Sequence, residues 1–162
     1  KVPYIEQMQQ TECGLCCTAM ILRYYKSNEQ LAQLREFLDA GRDGLKISQM
    51  SGYLKERGFE THVYQTSMNN LSKLPLPAII FWNNEHFVVL EEIVGNNYII
   101  VDPAFGRRKI HQEYFDKEFS RIVLTIQPTE SFIPNREKQS TWKPVLKNLI
   151  ENKLLFGKVL IL

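Results

Sequence analysis

The sequence predicts an α+β domain, with helices first and a mostly antiparallel sheet after them. Two observations carry this. Up to Gly58 the apolar residues recur at helical spacing, and beyond it they alternate or run continuously in short stretches. A chain of 162 residues, 44% of them hydrophobic, fits one domain able to bury its own core.

The first helix is capped by Thr11 or Glu12 and runs to about Lys26, with Leu15, Ala19, Leu22 and Tyr25 on one face. Ser27 or Asn28 caps a second, carrying Leu31, Leu34 and Leu38 and ended by Gly41. A third spans about Ser48 to Arg57, with Gly58 as its stop. THVYQT then reads as a strand. AIIFWN follows the Pro75 and Pro77 punctuation, and HFVVLEEIV, YIIVD and RIVLTIQ complete the set. Gly95-Asn96-Asn97 is a hairpin turn signal. HQEYFDKEF reads as a short helix before the last strand. No internal repeat or low-complexity segment interrupts the series.

From about Pro134 the character changes. Residues 133–162 hold Arg136, Lys138, Lys143, Lys147, Lys153 and Lys158 against Glu137 and Glu151, a net +4 that leaves −2 for the rest of the +2 chain. Trp142, Val145 or Leu146, Leu149 and Ile150 fall on one helical side. The division expected is therefore 1–133 as a domain and 134–162 as a basic amphipathic linker. The chain ends in an apolar run, LLFGKVLIL, and lacks an initiator Met, as expected of a processed chain or a fragment cut before something hydrophobic. Neither a signal peptide nor a stretch of ~18 apolar residues is present. The small net charge argues against a nucleic-acid partner.

All three cysteines lie in TECGLCCTAM, at positions 13, 16 and 17. An odd, crowded set cannot build a secreted disulfide framework, and bridges between near neighbours close almost no loop. Reduced thiols and a cytosolic setting follow. A structural zinc site would need a second ligand pair; there is no other CxxC, and His62, His86 and His111 lack metal spacing. A thioredoxin-like pair normally follows a strand, for which the twelve residues before Cys13 leave little room. A single working thiol is the remaining reading. Cys13 sits in the first turn of its helix, where free N–H groups favour a thiolate, and Gly14 beside it would let a substrate backbone approach. Cys16 and Cys17, deeper in the helix, read as core.

A nucleophilic thiol needs a base and a group to orient it. His86 opens one strand and Asp102 ends the next, so folding the hairpin between them brings both to one end. A turn at Asn96-Asn97 would leave them about five positions apart, which requires a longer loop or a bulge. Alone, a histidine at a strand start is an ordinary surface residue. His62 has no matching acid, and His111, near Arg107 to Lys109, reads as a solvated helix start. Trp82 fits either a channel wall or the core.

QMQQTECGLCCTAMI together with HFVVL…YIIVDPAFG resembles the double-glycine leader peptidases, papain-like cysteine peptidase domains fused to bacterial ABC exporters. The resemblance covers about residues 3–128 and departs mildly where Leu15 and Cys16 precede Cys17. It implies that Cys13 attacks the scissile carbonyl, that His86 shuttles the proton, and that Asp102 orients the imidazole. Gln7, six residues before Cys13, would join the Cys13 backbone N–H in an oxyanion hole; Gln9 and Gln10 carry the same amide, and only family spacing selects Gln7. The implied partners are a precursor with a double-glycine leader and the membrane and nucleotide-binding domains of the same exporter. No cofactor or metal is expected for the peptidase itself, ATP being confined to the nucleotide-binding domain. The domain would be monomeric and face the cytoplasm at the cell membrane. Two other uses of the scaffold are a non-catalytic leader-binding module, whose degenerate examples lack the cysteine, and a papain-like acyl or transglutaminase-type transferase.

Overall fold

The computed structural model describes residues 1–38 and 41–136. Three helices lead: α1 (Cys13–Tyr24), entered through a 3-10 turn over Gln10–Glu12, α2 (Leu31–Leu38) and α3 (Ile47–Glu56). The strands are β1 (Phe59–Gln65), β2 (Ala78–Trp82), β3 (His86–Val94), β4 (Asn97–Asp102), β5 (Gly106–His111) and β6 (Phe119–Pro128). A one-turn helix, α4 (Met68–Leu71), follows β1, and α5 (Gln112–Glu118) joins β5 to β6. All six strands form one sheet, ordered β1-β6-β2-β3-β4-β5, and each neighbouring pair is antiparallel. The α+β architecture is the expected one.

The sheet is packed on both faces, which explains the continuous apolar runs in β2 and β3. On one face Val89, Val101, Leu124 and Ile126 meet Leu15, Ala19 and Leu22 of α1 and Leu54 of α3. Every residue of α1 from Cys13 to Leu22 is buried, so this helix is surrounded and is not a surface helix with one apolar stripe. On the other face Val88, Leu90, Ile100 and Ile110 pack with Phe115 of α5, whose ring stacks on Tyr98 at 4.0 Å.

The helix ends follow local chemistry. Lys26 adopts a φ of 67°, and α1 stops just before it, two residues short of the expectation. Glu12 caps nothing with its side chain; its carboxylate accepts the Met8 N–H at 3.0 Å and Arg35 Nε at 2.8 Å, binding the N-terminal segment and α2 to the start of α1. Gly58 does end α3, at a φ of 88°, and a Cβ there would stand 2.8 Å from the Phe132 backbone. Phe132 in turn packs on Phe59, with ring centroids 4.3 Å apart. Strand β5 is not among the strands the sequence predicts, which places only a solvated helix start at His111 there. The amphipathic stretch proposed around Trp142 to Ile150 lies outside the described residues. Among the described residues no helix is long and apolar enough to cross a membrane.

Candidate active site

One cleft of about 1060 Å³ is lined by Gln7, Cys13, His86 and Asp102. Asp43 to Lys46 line it as well, together with the β2–β3 turn, Phe105 and Tyr114. Cys13 reaches it because α1 is clamped across the start of β3. Cys17 Sγ donates to the Phe87 carbonyl at 3.3 Å, and the Phe87 backbone also hydrogen-bonds the Cys13 sulfur. Gly14 faces Met50, Leu45 and Phe87, and an added Cβ would come within 3.1 Å of Met50 Sδ. Its small size therefore lets α1 pack closely, and does not open a path for substrate as the sequence suggested.

The hairpin register places the other two groups. The β3–β4 turn falls on Gly95-Asn96, with Val94 opposite Asn97. Continued unchanged, that register would set Asp102 against Val89, three positions from His86 and on the opposite side of the sheet. A bulge between Leu90 and Glu92 shifts the pairing by one, so that Val89 meets Val101 and Asp102 comes opposite Val88. Asp102 is then a same-face diagonal neighbour of His86, within side-chain reach. His86 Nε2 stands 2.8 Å from Asp102 Oδ1. This leaves Nδ1 free on the side of the thiol, and Cys13 and His86 lie close enough for each to shift the other's acidity. The structure thus brings Cys13, His86 and Asp102 into one chain of contacts.

The profile of the peptidase C39 family matches residues 1–131 of this sequence. The chain belongs to that family. Among its relatives, the probable microcin-H47 secretion/processing ATP-binding protein MchF of Escherichia coli is 32% identical over 138 residues, 85% of this chain and 20% of the relative. The pediocin PA-1 transport/processing ATP-binding protein PedD of Pediococcus acidilactici is 32% identical over 97% of this chain and 23% of its own length. The chain thus spans between a fifth and a quarter of these two proteins. A double-glycine-motif protease from an AMS/PCAT transporter, solved with the leader peptide, is 40% identical with a TM-score of 0.77, covering 80% of this chain and 93% of that one. The peptidase domain of Streptococcus ComA shares the fold at 23% identity and a TM-score of 0.73, with 80% and 100% covered. The papain-like fold expected from the resemblance is the one this C39 domain has.

The three thiols of the C39 domain differ sharply in acidity. Burial works against the Cys13 thiolate, but hydrogen bonds from His86, Phe87 and Gly14 outweigh it and hold the thiol below its ordinary value. Burial pushes Cys16 up to about 12 and Cys17 well above the ordinary range, so both stay protonated and inert. Burial disfavours the His86 imidazolium too, yet its hydrogen bonds to Asp102 and Cys13 raise it to about 9. Asp102 resists burial through bonds from His86 and the Ala104 N–H and stays ionised, below the usual carboxylate range. A thiolate–imidazolium pair therefore exists between the depressed Cys13 value and about 9. The alkylation rate of Cys13 by iodoacetamide is expected to inflect below pH 9 and that of Cys16 to stay negligible there, measured by peptide mapping after timed quenching. Cleavage is expected to fall as pH rises through about 9, where the imidazolium proton is lost.

Gln7 lies on the cleft wall, its N–H donating to the Pro103 carbonyl at 3.0 Å and its Oε1 buried without a hydrogen-bond partner. Trp82 proves to be core and wall at once, 5% exposed against Phe115 and bordering the cleft. His111 ends β5 and, exposed, is the N-cap of α5, the solvated helix start expected of it, and His62 does have an acid beside it, exposed Glu60 at 3.1 Å. Sequence reasoning missed Arg108, whose Nη2 is 2.6 Å from Asp102 Oδ2. The signal available was the turn PAFG after Asp102, which returns the chain so that every second residue of GRRKIH faces back across β4.

Proposed function

We propose that this C39 domain is a cysteine endopeptidase that removes the leader of a bacteriocin-type precursor, cutting after a Gly-Gly or Gly-Ala pair. The contact chain Cys13–His86–Asp102, with a thiol held below its ordinary value, carries the reading. The Cys13 thiolate attacks the scissile carbonyl, and the oxyanion is taken by the Gln7 amide and the Cys13 backbone N–H. His86 gives its proton to the leaving amine as the C–N bond breaks, leaving a thioester on Cys13. It then draws a proton from water, whose oxygen attacks the thioester and frees the sulfur. Asp102 stays ionised throughout, fixing the ring and balancing its charge.

Two small residues at the cut suit a passage that excludes larger side chains. The names of the secretion/processing relatives support a place in an ABC exporter at the cytoplasmic side of the membrane, with the precursor and the exporter's membrane and nucleotide-binding domains as partners. The peptidase step uses no cofactor, and ATP would act only in the nucleotide-binding domain. The test is incubation with a panel of double-glycine leader peptides read by mass spectrometry. One product ending at the small pair is expected. A folded, alkylatable protein that leaves the whole panel intact would overturn the reading.

A further inference from the structure

Asp102 is not held by His86 alone. Its side chain is 1% exposed and receives three donors: His86 Nε2 and the Ala104 N–H on Oδ1, each at 2.8 Å, and Arg108 Nη2 on Oδ2 at 2.6 Å. The third comes from a different strand. In the β4–β5 pairing Asp102 faces Gly106 and Arg108 faces Ile100, so the two side chains are diagonal neighbours on one face. The Arg108 guanidinium lies 5.2 Å from the centroid of the Phe105 ring, and its Nε is buried with no hydrogen-bond partner. Its position thus leaves one donor unused while another is set on the carboxylate.

We propose that Arg108 is a positioning residue of the peptidase site, fixing the Asp102 carboxylate in the rotamer that orients His86 and limiting how tightly that carboxylate holds the imidazolium. A guanidinium is charged at every working pH. It keeps Asp102 ionised, and as a cation on the same carboxylate it opposes the positive charge on His86. Without it the imidazolium would be held too strongly and would be a poorer acid toward the leaving amine. The other titratable groups around this cluster are Cys13 and Cys17 from α1, the Tyr4 hydroxyl on the Pro103 carbonyl, and Asp43, Lys46, Glu85, Tyr114 and Glu118 on the cleft wall.

The proposal rests on Cys13, His86 and Asp102 being the catalytic set, so its test includes readouts that need no turnover. These are the His86 ring titration followed by NMR and the pH dependence of Cys13 alkylation, both on the full chain, beside kcat and KM on a cleaved leader. Arg108→Gln is expected to move the His86 titration and the alkaline limb up by about one pH unit. It should lower kcat about tenfold to a hundredfold, the scale of lost outer support at an active site, with KM within about twofold. Arg108→Lys, which keeps the charge, should restore the wild-type titration. An Arg108→Gln protein that melts earlier but titrates like the wild type overturns the proposal, because that is the mark of a strand tie. If Arg108→Gln does not fold, Arg108→Lys decides: a wild-type titration supports the proposal, and an upward displacement of a full unit overturns it. Should the wild type cleave no leader, the peptidase reading fails by itself, while the titrations still decide the role of Arg108.

Discussion

Cys13→Ala is expected to abolish cleavage of a double-glycine leader while the domain stays folded and still binds the leader. Deleting the nucleophile of a catalytic set that works as a unit costs on the order of 10⁶-fold in kcat. The structural cost is small by comparison. Alanine keeps the Cβ at the start of α1 and loses only the sulfur of a residue that is 7% exposed, roughly 1 kcal/mol at a site of this kind. The neighbouring thiols should behave in the opposite sense. Cys16 and Cys17 are 1% and 0% exposed, and their sulfurs are directed at the carbonyls of Glu6 and Phe87. Cys16→Ala and Cys17→Ala should each cost about 1 kcal/mol of stability and keep turnover within about tenfold of the parent. Thermal melts and single-turnover kinetics on the three variants separate the roles. A folded Cys16→Ala protein without turnover would show that the thiol attributed to catalysis is the wrong one.

The order of helices and strands was legible because burial imposes period. Leu15, Ala19 and Leu22 could lie on one side only of a helix, and Ile79, Val89 and Leu90 could belong only to a covered sheet. What could not be read were features set by partners far along the chain. In β5 only Ile110 is buried, and Arg107, Arg108 and Lys109 look like solvated chain until Glu91 and Asp102 are placed opposite them. The bulge in β3 leaves no mark in LEEIV. The skipped residue, Glu91, is held by Arg107 of β5, two strands away, and by the Val2 N–H of the N-terminal segment. Cys13, His86 and Asp102 could be proposed as a set from residue type and the ends of elements. The one-residue shift that puts His86 and Asp102 on the same face could be required by the argument but not located. Gly14 misled for a related reason: next to a nucleophile, a glycine needed for packing and one needed for substrate look the same.

Gln7→Ala is expected to lower kcat by about 10²- to 10³-fold with KM little changed, the signature of a donor engaged only when the oxyanion forms. In free-energy terms this is roughly 3–4 kcal/mol of transition-state stabilisation. The fold itself supplies the control. Gln7 Oε1 has no hydrogen-bond partner, while the segment is held by the backbone bond from Gln7 to Pro103 and by Glu12 on the Met8 N–H. Removing the amide thus deletes no stabilising contact, and the melting temperature should be unchanged. Gln9→Ala, at an exposed amide two positions on, should leave kcat within a few-fold. The discriminating measurement is single-turnover acylation of Cys13 across the three proteins, because acylation is the step in which the oxyanion first appears. A Gln7→Ala rate within tenfold of the parent would remove the amide from the mechanism and leave the backbone N–H groups at the start of α1 to stabilise the tetrahedral intermediate alone.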